Sequence, residues 1–196
     1  MKIKVWLITI ISFLVMGCAP GSTVSPPEPP AIRLYRVDIE ALAKSCQGDM
    51  ARMLPAEVVY SIDGDTLGVQ ISNPPPDLKT KETIRMIGVD TPETVHPDKP
   101  VQDFGPEASA FTKEQLQGKR VYLAFDWDLR DRYDRLLAYV YTEDGTCFNA
   151  RLIQEGYAYA YPYFRFQFME EFAGLEQTAK EQHRGLWSLA QRFFNP

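Results

Sequence analysis

Short apolar runs rich in β-branched or aromatic residues recur five times along the chain, most of them bounded by glycine, proline or aspartate. Runs of this length and composition predict five short β-strands. Asp63-Gly64-Asp65 separates the first two stretches and is a strong signal for a hairpin turn. The predicted strands are residues 56–62, 66–72, 83–89, 120–125 and 136–141.

Apolar positions spaced three to four residues apart predict helices between and after these strands. Glycines mark their ends, which is typical of helix C-termini. The predicted helices are residues 106–117, 149–155 and 164–184, with a further short helix at 32–46.

Five short strands with a helix between the third and the fourth match the plan of an OB-fold, a partly open five-stranded barrel that often binds oligonucleotides. The fold class is therefore α+β, mainly β, with about three helices in the domain. The number of strands alone does not distinguish this barrel from other small barrels.

The first residues have the pattern of an export signal. Lys2 and Lys4 precede the apolar run 5–16, which is shorter than the roughly 20 residues that span a membrane. The run ends in Val15-Met16-Gly17-Cys18, which resembles the bacterial lipobox, whose cysteine is lipidated. We expect a membrane-anchored lipoprotein outside the cytoplasm, in the periplasm or on the cell surface; a plain secreted protein is the alternative.

The composition divides the chain into five segments. A lipoprotein-type signal peptide (1–17) precedes a proline-rich tether (18–30) and an N-terminal extension with a short helix (31–55). The OB-fold domain covers 56–190 and a tail covers 191–196.

The net charge of the chain is acidic. Its 21 lysines and arginines stand against 26 aspartates and glutamates, a formal charge of −5. Removal of Lys2 and Lys4 with the leader would leave 19 basic residues against 26 acidic residues. Such a balance disfavours nonspecific binding to a polyanion, which depends on basic surface.

Two cysteines follow Cys18, namely Cys46 and Cys147. In an exported protein an even pair is consistent with a disulfide, and two buried thiols that never meet are the alternative.

Carboxylates follow two of the predicted strands. Asp63 and Asp65 flank Gly64, where a glycine allows a sharp turn, and Asp90 and Glu93 follow the third strand. Acidic groups that converge repel one another unless a cation lies between them, and all-oxygen ligands suit calcium or magnesium. Solvated turn residues are the simpler reading of Asp63-Gly64-Asp65 taken alone.

Arg85 stands five residues before Asp90 on the same predicted strand. A guanidinium beside a metal site suggests that the site handles phosphate.

Several motifs in one order closely resemble the staphylococcal nuclease-like (thermonuclease) family, over about residues 56–190. They are DGDT (63–66), RMIGVDTPET (85–94), GPEASAFT (105–112), DRYDR (131–135) and GLW (185–187). The resemblance implies a calcium-dependent phosphodiesterase that acts on DNA and RNA and leaves 3′-phosphates. We expect the protein to be a monomer.

The resemblance also implies a role for each matching residue. Asp65 and Asp90 would bind calcium with the Thr91 carbonyl oxygen, and Asp63 would support the ion through water. Glu93 would activate the attacking water, and Arg85 and Arg135 would hold the phosphate. The residues implied in nucleotide binding are Arg132, Tyr133, Tyr161 and Tyr163.

Asp134 departs from the family, which commonly has glycine at this position. If its carboxylate points to solvent, activity is expected to survive; if it pairs with Arg135, phosphate affinity is expected to fall. The nearby Arg130 is expected to be a surface charge. The competing functions are a non-catalytic nucleic-acid-binding OB module and a protein-binding lipoprotein of the cell envelope.

Overall fold

A computed structural model describes residues 50–95 and 100–188 of the chain. The strands are β1 (Leu54–Ser61), β2 (Thr66–Gln70), β3 (Lys81–Met86), β4 (Val89–Asp90), β5 (Arg120–Ala124), β6 (Leu136–Tyr141) and β7 (Tyr159–Ala160). The helices are a single 3-10 turn (Met50–Arg52), α1 (Gly105–Leu116), α2 (Phe148–Gln154) and α3 (Met169–Glu181).

Five of the strands close into a barrel in the order β1-β2-β3-β6-β5, and β1 pairs with β5 to complete it. All barrel neighbours are antiparallel except β3 and β6, which are parallel. The helix α1 lies between the third and fourth barrel strands in sequence. The predicted OB-fold, α+β and mainly β with three helices, is therefore confirmed.

The barrel interior and the contact surface with α2 and α3 form one apolar core. Every residue of β6 is buried, because its inner face meets the barrel interior and α2 packs on the strand from outside. Burial alternates along β3, as the period-two pattern predicts for a strand with one wet face.

The third predicted strand is shorter than residues 83–89. It ends at Met86 because Gly88 adopts a left-handed conformation (φ +73°) that breaks the strand. Phe166 lies against this glycine, where a Cβ atom would come within 2.6 Å of the ring. The next two residues form β4, which pairs with β7 instead of with the barrel, a two-stranded sheet that the sequence pattern does not predict.

The last predicted helix begins later than residue 164. Helix α3 starts at Met169, because the Gln167 amide donates to the Asp126 carboxylate (2.7 Å) and Phe166 turns inward onto Phe172 (ring centroids 5.4 Å). The other predicted helices and strands within the described residues are found at their positions, with boundaries that differ by one or two residues.

Several predictions fall on residues outside the described ranges. These are the leader, the tether, the helix at 32–46, the tail at 191–196, and Cys46. Cys147 is buried just before α2, and the predicted pairing with Cys46 stays a prediction. Within residues 50–95 and 100–188, no helix has the length and apolar character needed to cross a membrane.

Asn149 connects α2 to the two parallel strands. Its fully buried side chain accepts a hydrogen bond from the Val140 amide (2.9 Å) and donates to the carbonyl oxygens of Ile87 (2.9 Å) and Ala138 (3.3 Å). These bonds satisfy backbone groups where β3 and β6 separate, just before the chain turns toward Asp90.

Asn149→Ala is expected to lower the free energy of unfolding by roughly 3 kcal/mol, because it leaves buried backbone groups without partners. Urea denaturation measures this change. Asn73→Ala, in an exposed loop, is the matched control and should change stability by less than about 0.5 kcal/mol. Equal effects of the two substitutions would contradict the proposed role of Asn149.

Candidate active site

A polar cavity of about 460 Å³ lies at one end of the barrel. Three parts of the chain meet there: the β1–β2 turn, the segment from β3 to just beyond β4, and the β5–β6 loop. The residues that line the cavity are Asp63, Asp65, Thr66, Arg85, Asp90, Thr91, Glu93, Tyr133 and Arg135. Except for Thr66, all of them are predicted site residues.

The β1–β2 turn brings two aspartates to the cavity. The backbone of Gly64 is not in the left-handed conformation. A glycine is nevertheless required at this position, because a Cβ atom would come within 2.6 Å of the Thr91 side chain. Close approach of two segments, which the sequence does not reveal, is thus what excludes a larger residue at this position. Thr112 of α1 holds the turn by donating to the Gly64 carbonyl oxygen (2.7 Å).

Asp65 is buried, accepts hydrogen bonds from two residues and forms an ion pair with a third. Its Oδ2 accepts from the Thr91 amide (2.9 Å) and the Thr91 hydroxyl (3.1 Å), and it pairs with Arg85 Nη1 (2.9 Å). Its Oδ1 accepts from the Thr66 hydroxyl (3.0 Å). A carboxylate has about four acceptor positions over its two oxygens, so Oδ1 is the atom with capacity for a further ligand.

Arg85 joins the two carboxylates that are predicted to bind metal. Besides Asp65, its guanidinium pairs with Asp90 (Nη2–Oδ1 3.1 Å) and donates to the Val89 carbonyl oxygen (2.9 Å). Asp90 is half-exposed, whereas Asp65 is not. The guanidinium therefore holds the strand end that carries Asp90 against the turn that carries Asp65.

The acidic charge in the cavity exceeds the basic charge. Four carboxylates line it against the two guanidinium groups of Arg85 and Arg135. Burial, reinforced by the neighbouring Asp65 carboxylate, raises the pKa of Asp63 to about 7. The Arg85 guanidinium lowers this pKa only slightly against these two effects.

Glu93 is held by backbone groups next to the cavity. Its Oε1 accepts from the amides of Thr94 (3.0 Å) and Val95 (2.9 Å), which orients the carboxylate. Its own amide donates to the Gln102 side chain (2.8 Å), and Gln102 donates back to the Glu93 carbonyl oxygen (2.9 Å). Gln102 is thus a supporting residue that sequence reasoning missed.

The β5–β6 loop carries Arg135 and Tyr133, and Asp131 organises it. The Asp131 carboxylate accepts from the amides of Tyr133 (2.9 Å) and Arg135 (3.0 Å) and from Arg135 Nε (2.7 Å). The Tyr133 ring lies 5.4 Å from the Arg135 guanidinium carbon. This bonding predisposes the guanidinium of Arg135 to one orientation.

Asp134 adopts the left-handed conformation (φ +64°) that a glycine would accept without strain. Its carboxylate binds Lys79 Nζ (2.7 Å) and lies 3.6 Å from Arg130 Nε; no ion pair between Asp134 and Arg135 occurs in the part of the chain that the structure describes. The carboxylate is exposed, and the Lys79 ammonium lowers its pKa.

Arg130 is not the surface charge that the sequence predicts. Its side chain is only 21% exposed and pairs with the buried Glu82 (Nη2–Oε1 2.7 Å). The signal that could have found this pair is Glu82, a charged residue at an inward position of a predicted strand.

Three predicted nucleotide-binding residues lie outside the cavity lining. Arg132 is exposed and contacts Tyr133 through its hydroxyl (2.6 Å) and its ring (4.7 Å). Tyr161 and Tyr163 contact each other, with ring centroids 4.9 Å apart. The Tyr161 amide donates to the Gly88 carbonyl oxygen (3.0 Å), so this pair lies next to the strand that carries Asp90.

The donor set of the cavity fits a hard divalent cation. Asp65 and Asp90 contact one guanidinium and so lie close together, and the undercompensated acidic charge would favour a cation. No group of three His, Cys, Asp or Glu side chains in metal-ligand arrangement occurs in the described ranges. The predicted set needs only two carboxylates and one carbonyl oxygen, with water and substrate oxygens for the remaining positions.

The closed mixed barrel and its carboxylate–arginine cavity define an OB-fold domain with a polar site at one end. Residues 83–189 match the sequence model of the family described as staphylococcal nuclease homologue. A thermonuclease of Staphylococcus hyicus is 40% identical over 134 residues, which cover 67% of this chain and 75% of the relative.

Two further relatives agree with this match. A thermonuclease of Staphylococcus intermedius is 40% identical over 129 residues (64% of this chain and 71% of the relative). The endonuclease YncB of Bacillus subtilis is 40% identical over 131 residues (65% and 59%). The chain therefore belongs to the staphylococcal nuclease family, as its motifs predict.

Asp63→Asn is expected to stabilise the protein in the presence of a chelator. Because the folded state raises the pKa of Asp63 from 3.8 to about 7, ionisation of this group costs stability as the pH rises through about 7. Asparagine removes this cost, so its gain in free energy of unfolding should be largest at about pH 8 and shrink toward about pH 4.

Urea denaturation at several pH values measures this gain. Asp103→Asn is the control, because Asp103 is exposed. The absence of a pH-dependent gain at position 63 would contradict the electrostatic account of the cavity.

Proposed function

We propose that the protein is a calcium-dependent nuclease that hydrolyses phosphodiester bonds of DNA and RNA to 3′-phosphate products. The observation that carries the proposal is the single cavity in which four carboxylates and two arginines converge. Membership of the staphylococcal nuclease family, with relatives named thermonuclease and endonuclease, supports a hydrolase of this class.

Arg85 and Arg135 bind the scissile phosphate in the proposed mechanism. Guanidinium N–H groups are donors that match phosphate oxygens. Nη1 of Arg85 already contacts Asp65 and the Val89 carbonyl oxygen, and Nη2 contacts Asp90, so Nε and the second Nη2 hydrogen are its donors to phosphate. Asp131 occupies Nε of Arg135, so the terminal nitrogens of that residue are the donors to phosphate. Both groups stabilise the additional negative charge that develops when water attacks phosphorus.

Glu93 accepts the proton of the attacking water in this proposal. The two amides that hold its Oε1 orient the carboxylate before substrate binds, which reduces the reorganisation needed in the transition state. Attack on phosphorus then breaks the bond to the 5′-oxygen, which leaves a 3′-phosphate and a 5′-hydroxyl.

Asp65, Asp90 and the Thr91 carbonyl oxygen are the proposed calcium ligands, with Asp63 acting through water. When bound, calcium supplies positive charge that neutralises phosphate oxygens and lowers the pKa of water. Arg85 already pairs with both aspartates, so it also sets the spacing between the two carboxylates.

Tyr133, Tyr161, Tyr163 and Arg132 contact the nucleotides that flank the scissile bond in this proposal. Tyr133 lines the cavity beside Arg135, and Tyr163 is strongly exposed, as expected for a ring on which a base stacks. The protein acts as a monomer.

Glu93→Gln is expected to reduce cleavage of single-stranded DNA by roughly a hundredfold or more, because glutamine cannot accept the proton of water. The assay uses the chain from residue 31 onward, with calcium and separately with excess chelator, and wild-type cleavage should require calcium. Glu143→Gln, an exposed substitution on the β6–α2 connection, should retain activity within about twofold.

No cleavage by a folded wild-type protein that binds calcium would overturn the proposed function. The chain would then be a non-catalytic nucleic-acid-binding or protein-binding OB-fold lipoprotein. Salt-sensitive retention on single-stranded DNA would distinguish the first of these from the second.

The proposed location is a membrane surface that faces away from the cytoplasm, in the periplasm or on the cell surface, with lipid attached to Cys18 as the anchor. Cys18→Ala is expected to move the protein from the membrane fraction to a soluble fraction and to abolish incorporation of a labelled fatty acid, since stable anchoring needs more than one acyl chain. Unchanged fractionation and no label in the wild type would point to a plain secretory signal instead.

A further inference from the structure

Arg130 binds a buried carboxylate through both terminal nitrogens of its guanidinium. Nη1 donates to Glu82 Oε2 (3.0 Å) and Nη2 donates to Glu82 Oε1 (2.7 Å). The Glu82 side chain is only 2% exposed and sits on β3, three residues before Arg85. The guanidinium is therefore fixed on the wall of the barrel that also carries the first phosphate-binding arginine.

The same guanidinium also bonds two backbone carbonyl oxygens, one of them in the β5–β6 loop to which Arg130 itself belongs. Nη1 donates to the Asp134 carbonyl oxygen (3.0 Å), and Nη2 donates to the Asp77 carbonyl oxygen (3.3 Å). Arg130 also pairs across the base of the loop with Leu136. One side chain thus connects β3, the segment before it, and the residue next to Arg135.

The bonds made by Arg130 constrain both the backbone and the carboxylate of Asp134. A non-glycine residue at φ +64° is strained, and its carboxylate would oppose phosphate if it turned toward the cavity. Arg130 bonds the Asp134 carbonyl oxygen and, together with Lys79, attracts the Asp134 carboxylate. Both effects keep the negative charge away from Arg135 and hold the turn that precedes it.

We propose that Arg130, anchored on Glu82, is a positioning residue for the phosphate contact of Arg135. It acts through the backbone and carboxylate of Asp134 and does not itself touch substrate. The expected loss of kcat rests on the proposed nuclease function, whereas the expected effect on the orientation of Arg135 does not.

The energetics of a buried ion pair support a role in positioning. Replacing such a pair by apolar side chains of similar volume is often neutral or stabilising, whereas removing one partner leaves an uncompensated charge. A pair kept only for stability could therefore be replaced by apolar residues without loss of activity. A pair that positions Arg135 could not, because no apolar side chain bonds the Asp134 carbonyl oxygen.

The decisive variant is therefore the double substitution Glu82→Leu with Arg130→Met in the full chain. It should unfold at a denaturant concentration close to that of the wild type, yet lose roughly 10- to 100-fold in kcat on single-stranded DNA, with KM changed less than about threefold. Arg130→Lys keeps the charge but not the two-armed geometry, and should rescue kcat only in part.

A second measurement asks whether Arg130 acts through Arg135. In an Arg135→Lys background, Arg130→Gln should lower kcat by less than about twofold further, because the contact that it positions is already impaired. Additive losses would assign Arg130 an independent role and overturn the proposal.

A third readout does not depend on activity. Nitrogen-15 relaxation of the Arg135 Nε–H group should show a rigid side chain in the wild type and a more mobile one in the double variant. If the wild type cleaves no DNA while this difference appears, the proposed function fails and the positioning role stands. If the wild type cleaves DNA but the mobility of Arg135 is the same in both proteins, the proposed function stands and the positioning role of Arg130 fails.

Arg151→Gln is the matched control. It removes a partly buried ion pair with Glu155 (Nε–Oε1 2.6 Å) on α2, a pair whose residues do not line the cavity. Its kcat and the mobility of Arg135 should equal those of the wild type. Equal losses in this control and in the double variant, or full kcat in the double variant, would overturn the positioning role.

Discussion

The ion pairs of Arg85 with Asp65 and Asp90 are the interaction on which the site depends. They hold two like charges together across a gap between the barrel and a separate pair of short strands. The guanidinium offsets the repulsion between the two carboxylates. The cavity nevertheless holds four carboxylates against two guanidinium groups. Burial raises the pKa of the neighbouring Asp63, because it disfavours the charged form of that carboxyl group. A hard cation bound in the cavity would reduce the excess of negative charge.

Much of the fold follows from the sequence because short-range signals agree with one another. The alternation in β3 and the glycine after α1 have local causes, so their pattern is enough to predict them. The eight predicted residues that line the cavity were found through motifs whose spacing this fold preserves. The roles of these eight residues come from the family resemblance, because the spacing of apolar positions says nothing about catalysis or metal binding.

The features that the sequence did not reveal depend on contacts between distant segments. Gly64 is small because Thr91, 27 positions later, lies against it. Gly88 breaks the third strand where Phe166 packs, and this places Asp90 on a different sheet. Arg130 looked like an ordinary loop charge because its partner, Glu82, is 48 positions away. In each case the residue that makes the contact is far away in the sequence and becomes a neighbour only when the chain folds.

The division of the site between two sheets has a consequence for which parts of the chain the site needs. Asp65 lies in the turn that leads into the barrel strand β2, whereas Asp90 lies on β4, whose partner is β7. Glu176 of α3 accepts a hydrogen bond from the Ala160 amide of β7 (3.2 Å), and α3 packs into the same apolar core as the barrel. The position of Asp90 relative to Asp65 therefore depends on a C-terminal helix that contributes no side chain to the cavity.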